Sequence, residues 1–169
     1  MAIDQAALKE FSGRVSGVVL GPNDAGYEEA RRVHNGMIDK RPALIAQCRG
    51  SADVADAIRF AVKHRLEISV RGGGHNVAGT AVCEDGLMID LSLMKGIQVE
   101  PHMRRVRAQG GVLWREMNRE TQVHGLAVTG GVVSSTGVAG PRTLSDRRSN
   151  GAATIVPSRL VERMCPVRT

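Results

Sequence analysis

The sequence predicts an α+β fold that starts with an α/β-type βαβ unit. Three observations support this prediction. Residues 43–48 form a short apolar segment with the length of a covered strand. Residues 51–64 follow with an amphipathic helical pattern, and residues 68–71 then form a second short strand, which its apolar start at residues 68–70 predicts to be buried. Because parallel strands need a crossover connection that is usually a helix, this order predicts two parallel strands in one sheet.

The chain before this unit is predicted to contain three short elements. Asp4 is a suitable N-cap for a helix that ends at Phe11, because its carboxylate can accept from the first backbone N–H groups. Residues 18–20 are apolar and predict a brief strand, which a Gly-Pro-Asn-Asp turn ends. Residues 27–34 predict a second helix, which ends before an Asn-Gly pair.

The helix at residues 51–64 has the clearest pattern in the chain. Acidic side chains lie in its early turns and basic ones in its last turn, which complements the helix dipole. Its buried face is predicted to consist of four apolar residues: Val54, Ile58, Ala61 and Val62.

Further elements are predicted along the rest of the chain. Residues 86–92 predict a strand that leads away from the end of the βαβ unit. Residues 96–100 and 104–109 predict the two strands of a hairpin. A helix at residues 112–122 and a short strand at residues 126–128 complete the set.

The strongest functional signal is the loop that follows the second strand of the βαβ unit. It contains Arg71, Gly72, Gly73, Gly74, His75 and Asn76. Glycines allow positive φ angles and let several backbone N–H groups converge on one anion. Arg71 adds a permanent positive charge, and ligands of open α/β sheets gather at this end of the strands. The loop therefore suits the pyrophosphate of a cofactor, with His75 at its edge.

Two other interpretations of this loop remain open. A glycine-rich turn between two strands would have the same composition and no ligand. An Arg-Gly-Gly sequence also resembles the RNA-binding boxes of disordered proteins. Those boxes occur as repeats in low-complexity sequence, whereas this loop follows a well-formed strand.

A second loop of small residues follows the strand at residues 126–128. Residues 129–140 are rich in glycine, serine and threonine, whose N–H and hydroxyl groups can donate to phosphate. Taken alone, this stretch is equally typical of a turn-rich linker. Two such loops, each at the end of a predicted strand, favour a ligand site.

The net charge does not favour a nucleic-acid partner. The formal net charge is +6. Most of this excess lies in the last 29 residues, which hold six arginines against Asp146 and Glu162. No aromatic residue separates those arginines, so the stacking platforms of single-strand binders are missing.

The cysteines indicate neither a metal site nor a disulfide framework. Cys48, Cys83 and Cys165 are widely spaced and form no C-x-x-C pair. No basic segment followed by an apolar run occurs near Met1, and no window approaches about 18 apolar residues. We therefore expect no metal, no membrane span and a reducing cytoplasmic location.

The common catalytic and nucleotide signatures are absent. The chain contains no G-x-G-x-x-G, G-x-x-x-x-G-K-[ST], H-E-x-x-H or G-x-S-x-G. These absences argue against Rossmann, P-loop, zincin and α/β-hydrolase chemistry. They leave the catalytic residues unknown.

The first loop and its surroundings resemble a known family. The residues that carry the resemblance are Arg71-Gly72-Gly73-Gly74-His75, Gly79, Gly86 and Asp90-Leu91-Ser92. They are similar to the FAD-binding domain of FAD-linked oxidases in the vanillyl-alcohol oxidase superfamily, in its berberine bridge enzyme-like branch. The resemblance covers about residues 35–140 and implies the first portion of a PCMH-type FAD-binding domain, incomplete in this chain.

The resemblance also implies the roles of individual residues. His75 would attach FAD covalently through an imidazole nitrogen bonded to the 8α-carbon of the isoalloxazine ring. The loop residues Arg71 to Asn76 would hold the pyrophosphate. The remaining implied cofactor-binding residues are Gly79, Ser134, Ser135, Gly137 and Gly140. Doubly linked members of the branch have a cysteine where this chain has Val133, so only the histidyl bond is expected.

The resemblance divides the chain into three parts. Residues 1–34 would be a lead-in of helix and strand, residues 35–140 a truncated FAD-binding domain, and residues 141–169 an irregular basic tail. The family pattern stops abruptly after Gly140, from which we expect a truncation, through a shifted reading frame. In the full-length family a small alcohol, sugar or similar substrate gives a hydride to FAD, and we expect little turnover from this chain alone. Two alternatives remain: a phosphate or nucleic-acid binding module that uses the basic tail, and a remnant without function.

Overall fold

The computed structural model describes residues 4–140, and by backbone alone the strands at residues 155–156, 159–163 and 165–166. The helices are α1 (Gln5–Arg14), α2 (Tyr27–Ala30), α3 (Ser51–His64) and α4 (Trp114–Gln122). The strands before α4 are β1 (Val18–Leu20), β2 (Leu44–Gln47), β3 (Ile68–Arg71), β4 (Leu87–Asp90), β5 (Ile97–Glu100) and β6 (Arg105–Ala108). The later strands are β7 (Leu126–Ala127), β8 (Ile155–Val156), β9 (Arg159–Arg163) and β10 (Cys165–Pro166). A 3-10 turn at Pro101–Met103 joins β5 to β6.

The predicted βαβ unit is confirmed. The first sheet has the strand order β1-β2-β4-β3, in which β2 and β3 both run parallel to β4. Helix α3 connects β2 to β3 and packs with α1 on the sheet, where the rings of Phe11 and Phe60 stack at 4.3 Å. Strand β4 is buried along its whole length because it lies inside the sheet between two covered faces.

The predicted buried face of α3 was right for Ala61 and for Val54, which packs against the core, but wrong for Ile58 and Val62. Ala57, Phe60 and Ala61 are buried, whereas Ile58 and Val62 are exposed. The helix turns in this way because its largest apolar side chain, Phe60, covers α1.

Asp53 fixes the same rotation at the start of α3. Its buried carboxylate accepts hydrogen bonds from the backbone N–H groups of Ser16 and Arg49 and from the Ser16 hydroxyl. Burial alone would raise the pKa of Asp53, but these hydrogen bonds outweigh burial and hold its pKa below the usual value.

Two predictions for the strands beside the first loop were also wrong. Strand β3 was expected to be buried, but it is an edge strand, and the side chains of Ile68 and Val70 are exposed. Strand β4 was expected to lead away from the loop, but it runs parallel to β3 with Arg71 opposite Asp90. Both strands therefore end at the same edge of the sheet, and Asp90 is delivered to the loop.

The second sheet has the strand order β5-β6-β9-β8, and it confirms the predicted hairpin. Its apolar residues pack against the buried Trp114 and Met117 of α4. An irregular chain was predicted after residue 140, but β9 pairs antiparallel with β6, and β10 pairs with β7. The side chains of this last segment lie outside the described residues. No helix in the part of the chain that the structure describes is long and apolar enough to cross a membrane.

The predicted helix at residues 27–34 is only one turn long, α2. Beyond Ala30 the chain leaves helical geometry and runs beside the first glycine loop, where the His34 N–H donates to the Gly74 carbonyl at 2.9 Å. This tertiary hydrogen bond replaces the helical one, which is why the sequence pattern overestimated the helix.

Candidate functional site

The first glycine loop is anchored by the guanidinium of Arg71. Its Nε and Nη2 donate to the two carboxylate oxygens of Asp90 at 3.1 and 3.2 Å. Its Nη1 donates to the carbonyl oxygens of Ala30 at 2.6 Å and Arg32 at 2.9 Å. Because a guanidinium has five N–H donors, these four bonds leave one for a ligand. Arg71 therefore acts mainly as a clamp between the loop and the segment after α2.

The carboxylate of Asp90 is the centre of this clamp. Its side chain is fully buried, while that of Arg71 is 16% exposed. Besides Arg71, it accepts hydrogen bonds from the backbone N–H and the hydroxyl of Ser92, each at 3.0 Å. The pair forms because β3 and β4 are in parallel register, and it fixes the position at which the loop leaves the sheet.

The segment at residues 30–35 lies along the first loop. His34 N–H donates to the Gly74 carbonyl, and the side-chain amide of Asn35 donates to the Val77 carbonyl at 3.0 Å. The imidazole of His34 stacks on that of His75, with ring centroids 4.1 Å apart and planes inclined by 18°. Sequence reasoning assigned no site role to Arg32 or His34, because no local motif links them to a loop about 40 residues away in sequence.

The two glycine loops meet at Gly73 and Gly137. A Cβ on Gly73 would lie 2.3 Å from the backbone nitrogen of Gly137, and one on Gly137 would lie 2.6 Å from that of Gly73. A Cβ on Gly72 would likewise lie 2.8 Å from the Gly110 carbonyl oxygen. The backbones therefore approach at a distance that only glycine permits.

The second loop is held by backbone hydrogen bonds to the start of α4. Trp114 N–H donates to the Thr136 carbonyl at 3.0 Å, and Arg115 N–H donates to the Ser134 carbonyl at 2.9 Å. Val138 N–H donates to the Val112 carbonyl at 2.9 Å. The loop thus forms a wall built from main chain.

A cavity of about 460 Å³ lies between the two loops. Its lining includes Gly72, Gly73, Gly74, His75, Asn76, Thr136, Gly137 and Gly140. Val70 and Leu91 add apolar surface to it. The volume is within the range of roughly 300–1,000 Å³ that small-molecule and cofactor sites occupy.

A second cavity of about 320 Å³ lies on the other side of the first loop and is more polar. Arg32, His34, Lys95 and Ser135 contribute to its lining. Lys95 Nζ is bound to the Gly111 carbonyl at 2.6 Å and to the Glu116 carboxylate at 2.8 Å. The guanidinium of Arg32 has no ion-pair partner within residues 4–140, so it is the cation best able to meet an anion there.

His75 lines both cavities. Its side chain is half-buried, and burial, followed by the nearby charge of His34, holds the pKa of His75 below its usual value. The lowered pKa favours the neutral imidazole, which is the nucleophilic form.

The backbone N–H groups of residues 72–76 are available to a ligand. None of them donates to an acceptor within residues 4–140. A nest of successive backbone N–H groups without a protein acceptor suits an anion.

Most of the predicted cofactor-binding residues come together. Gly72, Gly73, Gly74, His75, Asn76, Gly137 and Gly140 line the larger cavity, and Arg71 and Ser135 line the polar one.

Gly79 and Ser134 line neither cavity. Gly79 has φ of +71° and packs against Ile38, so it shapes the turn that follows His75. Ser134 is exposed and contributes its carbonyl to the hydrogen bond with Arg115. Within the described residues, no group of three or more histidine, cysteine or acidic side chains could hold a metal ion.

Two glycine-rich loops that meet at the carboxyl edge of a mixed sheet, around a cavity of this size, define a nucleotide-cofactor binding domain. Comparison with known proteins gives the family. Residues 42–142 match the family described as an FAD binding domain, and the chain belongs to it.

Similar proteins include FAD-linked oxidases. The chain is 37% identical to (R)-6-hydroxynicotine oxidase of Paenarthrobacter nicotinovorans over 126 residues, which is 75% of this chain and 28% of that relative. The solved structure of 6-hydroxy-D-nicotine oxidase from Arthrobacter nicotinovorans has a TM-score of 0.72 at 37% identity and is matched over 27% of its length. The Physcomitrella patens protein BBE-like 1 has the same fold, with a TM-score of 0.69 at 19% identity over 29% of its length.

The predicted resemblance to FAD-linked oxidases is confirmed, and the chain shares the fold of a BBE-like protein of Physcomitrella patens. The chain spans 28% of the length of the first curated relative.

The residues present fit FAD. The run of unpaired N–H groups at residues 72–76 suits the pyrophosphate, and glycine is needed at 72 and 73 because a Cβ there would collide with the backbone of Gly110 or Gly137. The larger cavity offers a mixture of apolar side chains and glycine backbone, as a flat ring system requires.

Proposed function

We propose that this chain binds FAD between its two glycine-rich loops and holds it covalently through His75, as the cofactor-binding part of a flavin-dependent oxidoreductase. The observation that carries the proposal is the cavity of about 460 Å³ lined by both loops, which shares His75 with the polar cavity. The family match supports the choice of FAD.

The residues of the first loop would bind the pyrophosphate. The N–H groups of residues 72–76 supply the donors, because none of them has an acceptor within residues 4–140. Arg71 contributes one remaining N–H, while its other donors hold the loop in place. Arg32 supplies a cation that no carboxylate in the described part of the chain neutralises.

The second loop would cover the opposite side of the cofactor. Gly137 and Gly140 line the cavity with backbone, and Thr136 lies beside them. Ser135 lines the polar cavity. We place Ser134 and Gly79 in supporting roles, because the first holds the loop to α4 and the second shapes the turn after His75.

His75 would form the covalent bond. It would present a neutral imidazole nitrogen to the 8α-carbon of FAD, and burial favours that form of the ring. Forming this bond would release two protons to solvent and two electrons, which molecular oxygen would take up to give hydrogen peroxide. Val133 stands where a second attachment would need a thiol, so His75 makes the single bond.

Bound FAD accepts a hydride from a substrate and passes the electrons to oxygen or another acceptor. We propose a small alcohol, sugar or similar molecule as the substrate of the complete enzyme. We assign no catalytic base, and we expect little turnover from this chain alone, because it spans only 28% of the length of the first curated relative.

FAD titration tests the proposal through the single tryptophan. Trp114 is buried and contacts Gly130 and Gly131 of the second loop, so bound FAD should quench its fluorescence. We expect saturable quenching by FAD and weaker binding of FMN, which lacks the pyrophosphate. FAD at 100 times its Kd should raise the unfolding free energy by about 2.7 kcal/mol. Absence of both quenching and stabilisation would contradict the proposal and favour the remnant without function.

The phosphate or nucleic-acid binding module has no supporting observation. It depends on the basic side chains at residues 141–169, which lie outside the described residues. The division of the chain at residues 34 and 140, the shifted reading frame and the cytoplasmic location stay predictions.

A further inference from the structure

The imidazole of His34 lies face to face with that of His75. The ring centroids are 4.1 Å apart and the ring planes are inclined by 18°. His34 is exposed, while His75 is half-buried, so His34 covers the solvent side of the ring that is proposed to react.

The position of His34 is determined by backbone contacts. Its N–H donates to the Gly74 carbonyl at 2.9 Å, next to His75 in the chain. Arg71 binds the carbonyls of Ala30 and Arg32, so the chain before His34 is fixed to the same loop. Asn35 adds a bond to Val77 on the other side of His75. The stack is therefore held from both ends and does not rest on ring contact alone.

The charges around His75 are few. On the first sheet, Arg71 is neutralised by the buried Asp90. Lys95, which lines the same cavity, is neutralised by Glu116 of α4. Arg32 and His34 come from the segment after α2, and a proton on His34 would place a positive charge directly against the His75 ring. Two stacked imidazoles resist carrying two protons, because like charges disfavour each other's ionisation.

We propose that His34 is a positioning residue for His75: it fixes the plane of the imidazole and limits its protonation, so that His75 meets the flavin as an oriented, neutral nucleophile. This inference rests on the proposed covalent role of His75. It adds a residue outside the glycine loop to the machinery of attachment. The lowered pKa of His75, caused by burial and then by His34, is consistent with it.

Two variants of His34 distinguish its effect on the orientation of the His75 ring from its effect on the protonation of that ring. His34→Phe keeps a ring for stacking and removes the charge, whereas His34→Ala removes both. His102→Phe, on the exposed 3-10 turn, is the matched control. All three are prepared as full chains, and the titration of the His75 Cε1–H signal is measured by NMR in protein without FAD, with His75→Asn for assignment.

In both His34 variants we expect the titration midpoint of His75 to rise by about half a pH unit, the size expected for one like charge at this distance in a site open to water. The control should leave it unchanged. The rate of covalent FAD incorporation, measured as flavin fluorescence in denaturing gels, should be near wild type for His34→Phe at alkaline pH. His34→Ala should lower that rate by roughly tenfold or more at every pH, because a misoriented nucleophile reacts slowly.

These measurements distinguish a failure of the His34 proposal from a failure of the proposed covalent binding of FAD. If the wild-type chain incorporates no FAD, the covalent role of His75 fails, while the titration still reports the influence of His34. An unchanged midpoint in both His34 variants overturns the inference whether or not FAD is attached. A wild-type incorporation rate in His34→Ala overturns the positioning role.

Discussion

The two glycine-rich loops line one cavity but are held in different ways. The first loop is fixed mainly by side chains, the Arg71–Asp90 pair and the His34–His75 stack, with one main-chain bond from His34 to Gly74. The second loop is fixed by main-chain hydrogen bonds to Val112, Trp114 and Arg115. No charged side chain occurs in residues 129–140, whereas the first loop begins with a guanidinium and contains an imidazole.

The difference indicates that the two loops have different roles at the cofactor site. Side-chain anchoring places charge and a titratable ring at defined positions, which a reactive group needs. Main-chain anchoring provides a close-fitting wall without adding charge. We therefore expect damage to the first loop to change both stability and attachment, and damage to the second to change mainly the fit of the cofactor.

The largest expected loss of stability comes from breaking the Arg71–Asp90 pair that anchors the first loop. Asp90→Asn leaves the mostly buried Arg71 without its counter-charge and should lower the unfolding free energy by about 3 kcal/mol. Asp56→Asn is the control, because Asp56 pairs with the exposed Arg59 on α3 and should cost under about 0.5 kcal/mol. Urea unfolding of the two variants measures the difference. Equal losses would mean that the clamp is no stronger than a surface pair.

The next largest effect, on both stability and FAD affinity, is expected where the two loops meet at Gly73 and Gly137. Gly73→Ala would place a Cβ 2.3 Å from the Gly137 nitrogen, so the loops must separate, at a cost of about 2 kcal/mol. FAD affinity should fall by roughly tenfold, which is about 1.4 kcal/mol. Gly36→Ala is the control, since no atom in the described part of the chain lies within 4 Å of its Cβ position. Trp114 quenching measures both affinities, and wild-type affinity in Gly73→Ala would show that the contact is not needed.

A smaller effect is expected in the second loop. Gly130→Ala would bring a Cβ to 2.0 Å from the buried ring of Trp114, and overpacking of this kind costs roughly 1–2 kcal/mol. No atom of residues 4–140 lies within 4 Å of the Cβ position at Gly140, so Gly140→Ala should be close to neutral. Thermal melts without FAD compare the two. If Gly130→Ala were as damaging as Asp90→Asn, the contrast between the loops would disappear.

The smallest effect concerns pH. Burial, and then the charge of His34, holds the pKa of His75 below its ordinary value, so the folded protein takes up this proton at lower pH than the unfolded chain. The contribution of His75 to the unfolding free energy should therefore be constant above about pH 6.5. Below that pH, the unfolding free energy should fall until His75 is protonated in the folded protein as well. His75→Asn should remove this component from melts at pH 7 and pH 5. The same pH dependence in wild type and variant would assign it to other groups.

The order of the main elements could be predicted from the sequence, because it depends on local patterns. The βαβ unit, the β5–β6 hairpin and α4 all follow from apolar spacing and glycine breaks. The rotation of α3 could not be predicted, because it depends on the stacking of Phe60 against Phe11 in another helix. The direction of β4 was missed for a similar reason: only its pairing with β3 shows that Asp90 meets Arg71.

The candidate site was predictable where the chemistry lies in one motif. The loop at residues 71–76 carries its own signal in consecutive glycines followed by a histidine. The part contributed by residues 30–35 carries none, since the bond from Arg71 to Ala30 joins positions 41 residues apart. The prediction of a helix over residues 27–34 also worked against finding this contribution, because a helical His34 would not have been expected to lie against His75.

The most direct test of covalent attachment is the flavin absorbance of the acid-precipitated protein after incubation of the full chain with excess FAD. We expect the yellow chromophore to stay with the wild-type pellet and to remain in the supernatant for His75→Ala. A colourless wild-type pellet, or a yellow His75→Ala pellet, would contradict the attachment of FAD at this histidine.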